Sequence, residues 1–300
     1  EYFRIRKITI PVNADMRAEL RSVRRAISSR TVVIVGSAPS FPHGVIDPIA
    51  EMSEIARKAG VGFHTDACLG GFVLPFAREL GYSLIDFDFR LPGVTSMSAD
   101  THKFGYAAKG TSVVLYRSSR LREHQFYITT DWPGGLYFSP TLSGSRPGAL
   151  IAQCRAAMLK MGRRGYLDAA RRIFQTADRI KKGIQKIEGL ELVGDSLFVI
   201  AFRSRNINIY NLSERLGQSG WNLNGLHRPA CLHLCVTLLH TQSGVADRFL
   251  KDLKRSVVAE LKEPLRAAGM APVYGMAASL PARGIVRDLL KAVLDQIYRP

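Results

Sequence analysis

Lys103 stands in Ser98-Ala-Asp-Thr-His-Lys-Phe-Gly105, a short polar turn. An apolar-rich run, Gly93-Val-Thr-Ser-Met-Ser98, leads into it, and a strand-like run, Thr111-Ser-Val-Val-Leu-Tyr116, follows. The lysine is thus expected at the lip of a sheet, between two buried strands. A lysine held there beside cationic groups can lose its proton and form an imine with an aldehyde. A lone His-Lys dipeptide would read as a surface turn. A second stretch changes that reading: Gly62-Phe-His-Thr-Asp66-Ala-Cys-Leu-Gly-Gly-Phe72 is an apolar strand that ends on a carboxylate. A strand-end lysine that carries an aldehyde, and a strand-end aspartate that keeps a pyridine nitrogen protonated, are what pyridoxal 5'-phosphate requires.

The elements that must position this pair can be read from hydrophobic period and turn residues. Thr31–Val35 is a continuous apolar run, suited to a parallel strand buried on both faces. A turn-rich corner, Gly36-Ser-Ala-Pro-Ser-Phe-Pro-His-Gly44, closes it, and ligands gather at such strand ends in open α/β sheets. Helical spacing is expected over Asp15–Ser28, from Asp47-Pro48 to about Lys58, and from Gly70-Gly71 to Leu80. The strand Val61–Thr65 ends at Asp66, and another enters Ser98. Alternating strands and helices predict an α/β fold with a mostly parallel sheet. Tyr127–Gly135 and Ser139–Gly148 read as loops, followed by helices over Ala149–Gly162 and Tyr166–Ile187. Beyond Gly189 the pattern is α+β. Strands are expected at Leu190–Val193, Leu197–Phe202, Trp221–Asn224 and Leu232–Leu239, with helices at Asn208–Gly217, Val245–Leu261 and Ile285–Tyr298. The resulting division is a cofactor-domain half over 1–148, connecting helices over 149–188 and a small C-terminal domain over 189–300.

Composition bounds the function classes. The 300 residues are 46% hydrophobic with a formal net charge of +17, and the mean hydropathy is near zero. Lysine and arginine are spread along many segments, without zinc-finger spacing or an aromatic RNA-binding signature, so no nucleic-acid partner is expected. A positive field that draws phosphorylated substrates or an anionic membrane surface fits better. Cys68, Cys154, Cys231 and Cys235 form no disulfide or metal pattern; Cys231-Leu-His233-Leu-Cys235 reads as core strand. A reducing compartment and no metal are the consistent expectations.

An ordered set of segments carries a family resemblance: Ser37-Ala-Pro-Ser-Phe-Pro-His-Gly-Val-Ile-Asp-Pro48, His64–Phe72, Ser98–Gly105, Thr130-Asp-Trp132, Ser143-Gly-Ser-Arg-Pro-Gly148 and Gly220-Trp-Asn-Leu-Asn224. Together they resemble the pyridoxal-phosphate enzymes of the group II decarboxylase type and, within them, the sphingosine-1-phosphate lyases. The resemblance implies a fold type I large domain with a small α+β C-terminal domain. It implies a carbon–carbon lyase that cleaves sphingoid-base 1-phosphates to a long-chain aldehyde and phosphoethanolamine. An amino-acid decarboxylase of the same family is the alternative.

Site roles follow from the resemblance residue by residue. Lys103 carries the cofactor and Asp66 partners its ring nitrogen. His102 bonds the cofactor phosphate, His64 approaches the cofactor or braces Asp66, and Ser37 lies on the neighbouring strand end with His43. Lys109 binds the substrate phosphate. Ser145 and Arg146 offer an anion cradle on a loop that in relatives lies near a dimer interface, so a homodimer with a shared site is implied. The chain carries Thr65, Phe104 and Phe41 where family members have Val, Tyr and Tyr, which bears on fine substrate contacts. The base for the substrate's C3 hydroxyl is not identified.

The segment Glu1–Pro11 reads as entry into a strand in mid-domain, which predicts the C-terminal part of a longer protein. In the family the upstream part holds a Gly-rich phosphate loop and the residue that stacks on the ring, so residues 1–300 alone are expected to bind the cofactor poorly. The expected location is the cytoplasm, or the cytosolic face of the endoplasmic reticulum for a eukaryotic protein with an upstream anchor.

Overall fold

A computed structural model describes residues 3–265 and 283–297. The chain forms two compact units: one takes the residues up to Phe41 and Val45–Arg172, the other takes Pro42–Gly44 and the described residues from Ile173 on.

The first unit is built on four strands in the order β1-β2-β3-β4. β1 (Val33–Ser37), β2 (Gly62–Asp66) and β3 (Ser96–Ala99) run parallel, and β4 (Val113–Tyr116) returns antiparallel to β3. The α/β class with a mostly parallel sheet is therefore as expected. Helix α1 is shorter than its periodicity predicts, Leu20–Ala26. Asn13 takes the backbone N–H groups of Asp15 and Arg17 on its side chain, which holds the preceding residues in a turn instead. Helix α2 (Ile49–Lys58) buries Ile49, Met52 and Ala56, and Pro48 is its N-cap rather than its first residue. Helix α3 (Leu74–Glu79) follows the Gly70-Gly71 step.

Two strands are less covered than their sequences suggest. β1 is an edge strand and exposes Val33 and Val35. β4, at the other edge, exposes Val113, Val114 and Leu115 by 37–48%. Continuous apolar runs report the tendency to be buried, whereas position in the sheet decides whether a neighbour covers them. The expected loop at Tyr127–Gly135 contains β5 (Tyr127–Thr129), which pairs antiparallel with β6 (Tyr137–Ser139). Between β4 and β5 lies a short helix, α4 (Ser119–Glu123), capped by Ser118. The two helices expected over 149–187 are both present within α5 (Gly148–Gln185) and meet at Gly162, whose backbone (φ 54°, ψ 177°) is not helical.

The second unit holds a four-stranded antiparallel sheet in the order β7-β8-β10-β9, from β7 (Leu190–Val193), β8 (Val199–Ser204), β9 (Asn224–Leu226) and β10 (Cys231–Cys235). The strand expected at Trp221–Asn224 begins at Asn224. The one expected at Leu232–Leu239 ends at Cys235 and turns into a 3-10 helix at Leu238–Thr241. Val199, Ile200, Ala201 and Phe202 are all at most 1% exposed, so β8 is covered on both faces. Burial of each such aliphatic or aromatic side chain is worth about 1.5–3 kcal/mol. Helix α6 (Ile209–Gln218) and helix α7 (Val245–Lys262) complete the unit, and a last helix spans Arg283–Ile297. α6 and α7 are linked by Glu260, whose carboxylate accepts from Asn211 and Arg215. In β10, His233 Nδ1 donates to the Pro42 carbonyl at 2.8 Å, and Nε2 accepts from Asn224.

Candidate active site

The parallel register lays three polar residues in a row across the strand ends. Ser37 on β1 pairs with Asp66 on β2, and Asp66 pairs with Ser98 on β3. One step back, His64 pairs with Ser96. Strand residues two apart share a face. His64 and Asp66 therefore lie on one face of β2, while Phe63 and Thr65 are buried on the other.

This face is hydrogen-bonded throughout. Burial pushes the His64 imidazolium below its ordinary value despite the nearby Asp66, so the ring is neutral at pH 7. His64 Nδ1 lies 2.9 Å from Ser96 Oγ and Nε2 lies 3.2 Å from Ser98 Oγ. Ser98 donates to Asp66 Oδ1 at 3.3 Å, and so accepts from His64 Nε2–H. Asp66 Oδ1 also accepts the Cys68 N–H at 3.1 Å. Ser98 thus stands between His64 and Asp66.

Glycine lets the strand ends crowd together. A Cβ on Gly70 would stand 2.1 Å from the Ala38 carbonyl oxygen, and one on Gly71 would meet Ala99 Cβ at 2.5 Å. The turn after Asp66 can therefore lie against the ends of both β1 and β3 only because both positions lack a side chain.

Lys103 follows β3 in a tight turn, with its N–H on the Asp100 carbonyl at 3.2 Å. Its side chain meets a carboxylate: Nζ is 2.7 Å from Asp100 Oδ2. Cys68 lies at hydrogen-bond distance on another side. Burial would push the Lys103 ammonium down, but Asp100 and Cys68 more than offset this and hold it above its ordinary value. This corrects the expectation that neighbouring cations help Lys103 lose its proton. Burial likewise would raise the Asp100 carboxyl, yet the bonds from Lys103 and Ser112 and the nearby His102 hold it below the ordinary range. Cys68 is a thiol at neutral pH, since burial pushes it up.

The segment after Lys103 is clamped. Tyr166 on α5 donates its hydroxyl to the Gly105 carbonyl at 2.8 Å, within a buried contact. Its ring lies near those of Phe72, Phe76 and Tyr106. Tyr106 itself is left-handed at φ 58°, and burial pushes its phenol up to about 12.

The expected site residues divide into two groups. Lys103, Asp66, His64, His102 and Ser37 gather at the sheet's lip. His102 Nδ1 donates to the Thr111 carbonyl at 2.5 Å, and its Nε2 lies 3.8 Å from Asp100 Oδ2. The Ser37 backbone N–H is bound by Asp47 at 2.8 Å. Lys109, Ser145 and Arg146 are exposed and stand outside that hydrogen-bonded group; Arg146 donates to Thr141 in its own loop at 2.6 Å. Sequence reasoning missed Asp100, Ser96, Ser98, Cys68 and Asp47. Asp100 could have been found, since three residues in a tight turn bring side chains together.

The family model described as "Pyridoxal-dependent decarboxylase conserved domain" matches residues 1–205. The chain belongs to the pyridoxal-dependent decarboxylase family. It is 46% identical over 300 residues to a sphingosine-1-phosphate lyase of Arabidopsis thaliana, covering 99% of this chain and 55% of that protein. It is 45% identical to sphingosine-1-phosphate lyase 1 of Rattus norvegicus, covering 99% and 53%. The chain thus spans about half the length of these lyases. Among solved structures, the sphingosine-1-phosphate lyase of Burkholderia pseudomallei K96243 superposes with a TM-score of 0.87 at 42% identity, over 97% of this chain and 62% of that one. A glutamate decarboxylase of Lactobacillus brevis shares the fold alone, with a TM-score of 0.72 at 22% identity, over 86% and 62%. For a decarboxylase-family member the donor set at the lip fits the cofactor: an amine for its aldehyde, a carboxylate for its ring nitrogen and an imidazole nitrogen for its phosphate.

Proposed function

We propose that this chain supplies the lysine-bearing part of a pyridoxal-phosphate-dependent lyase that acts on sphingoid-base 1-phosphates. The observation that carries the reading is that Asp66 ends β2 and Lys103 stands in the tight turn that follows the adjacent parallel strand β3, in a chain 46% identical over 99% of its length to a protein named as such a lyase. The bond broken is C2–C3 of the substrate, and the products are a long-chain aldehyde and phosphoethanolamine.

When bound, pyridoxal phosphate supplies a reactive aldehyde and an electron-accepting ring. Lys103 would hold it covalently, Asp66 would keep its ring nitrogen protonated, and His102 would stand at its phosphate. The work of the remaining residues is positional. Ser96, His64 and Ser98 form a hydrogen-bonded chain that ends on Asp66 and holds its side chain in place. Lys109 and the loop of Ser145 and Arg146 are the cations for the substrate phosphate, with the loop serving a second copy in a homodimer. The charge of +17 favours anionic substrates and contact with a negatively charged membrane surface, with a place in the cytoplasm or on the cytosolic face of the endoplasmic reticulum.

The test is a product assay on the full-length enzyme with added pyridoxal phosphate. Sphingosine 1-phosphate is expected to yield a long-chain aldehyde, and Lys103→Ala to abolish both this and the visible absorbance of bound cofactor. Release of carbon dioxide from a free amino acid faster than aldehyde appears would move the assignment to the decarboxylase branch.

A further inference from the structure

The Lys103 amine is held by a three-residue device. Asp100 divides its carboxylate between two donors: Oδ2 lies 2.7 Å from Lys103 Nζ, and Oδ1 accepts Ser112 Oγ at 2.5 Å. Its side chain is only 14% exposed. The Asp100 N–H is fixed on the Cys68 carbonyl at 3.3 Å, and its carbonyl receives the Lys103 N–H. A carboxylate with both oxygens engaged and its backbone pinned on either side has little freedom to leave. The groups that face Lys103 are this carboxylate and the Cys68 thiol; behind them stand His102, with Nε2 3.8 Å from Asp100 Oδ2, and Asp66, which accepts the Cys68 N–H.

We propose that Asp100 is the resting counter-ion of Lys103, a positioning residue that holds the ammonium at the sheet's lip whenever the amine is not covalently engaged. This rests on the reading of Lys103 as the cofactor lysine. Attack on an aldehyde needs the nitrogen lone pair, so the ammonium must first shed its proton. Asp100 opposes that step and fixes where the nitrogen waits. Conversely, when the amine is set free in a catalytic cycle and picks up a proton, the carboxylate draws it back to one place. The device trades speed of cofactor capture for position.

Competitive reductive methylation with formaldehyde and cyanoborohydride, read by peptide mass spectrometry on the full chain without cofactor, measures each lysine's reactivity against pH. Steric access scales the plateau of such a profile, whereas charge moves its midpoint. The Lys103 midpoint is expected above that of exposed Lys109. In Asp100→Asn it is expected to fall, with Lys103 labelled about three- to tenfold faster near pH 9 than in the parent, while Lys109 is unchanged. A parent midpoint at or below that of Lys109 overturns the proposal, and so does a midpoint that Asp100→Asn leaves in place. The parent comparison decides the matter even where the variant does not fold. Neither cofactor nor substrate enters the measurement, so a failed lyase assay and a failed midpoint are separate results.

Discussion

His64 is joined to Asp66 through the hydroxyl of Ser98, which lies 3.2 Å from the imidazole Nε2 and 3.3 Å from the carboxylate. Because Ser98 has one proton, and Asp66 as a carboxylate can only accept, the direction of the whole chain is set. Ser96 donates to His64, His64 donates to Ser98, and Ser98 donates to Asp66. The parallel register of β2 and β3 makes this possible by placing Ser96 and Ser98 directly opposite His64 and Asp66.

Ser98→Ala removes the last donor and leaves Asp66 with the Cys68 N–H. A side-chain hydrogen bond to a charged group is worth about 1.5–3 kcal/mol. The variant is therefore expected to keep the cofactor's visible band and to lose about 10- to 150-fold in kcat. Asp66→Asn should keep the band as well and lose more, because an amide cannot hold the ring nitrogen protonated. Stopped-flow and steady-state assays on the two variants check the order; an unchanged rate in Asp66→Asn would remove Asp66 from the ring.

Lys109→Ala is expected to raise KM for a phosphorylated sphingoid base by about tenfold or more, as for the loss of a charge-assisted bond to phosphate. The cofactor spectrum should not move, since Lys103, Asp66 and His102 remain. The same KM in parent and variant would show that another cation binds the phosphate.

Tyr166→Phe keeps the ring packed against Phe72, Phe76 and Tyr106 but leaves the buried Gly105 carbonyl without its donor. A cost of about 1–3 kcal/mol is expected, readable as a lower midpoint in urea with an unchanged slope. Tyr166→Ala, which also empties the ring's place, should cost about 3–5 kcal/mol. Equal stability of parent and Tyr166→Phe would mean the hydroxyl contributes nothing to holding the turn after Lys103.

Acidification should destabilise the fold in two stages. Burial holds His43, His64, His233 and His240 below the ordinary value of 6.5. The unfolded chain therefore binds more protons, and the stability these neutral rings contribute is present above pH 6.5 and lost as pH falls below it. Glu260 follows at lower pH. Burial would raise its carboxyl, but the bonds from Arg215 and Asn211 hold it below the ordinary 4.5, so its contribution is lost as pH falls through that lowered value. Urea melts between pH 8 and pH 4 should show a monotonic loss, and a flat profile from pH 8 to pH 5 would contradict the histidine assignment. Arg215→Leu strands the Glu260 carboxylate, whose side chain is 1% exposed, and should cost about 3–5 kcal/mol at pH 7.

The amino-acid sequence by itself determined the family and the fold class. Strand ends at Asp66 and before Lys103 follow from apolar runs that stop at polar residues, and the parallel sheet follows from their alternation with helices. These are local properties, carried by spacing along the chain. Tertiary structure alone decided what faces what. That Ser98 links His64 to Asp66 depends on a strand register no spacing reveals. That β4 lies at an edge with Val114 exposed depends on sheet order. The charge of Lys103 was misjudged for the same reason: His102 is its neighbour in the chain, but the turn sends His102 to the Thr111 carbonyl and brings Asp100 to the amine. A side chain's ionisation responds to distance in space and to burial, and these exist only once the chain has folded.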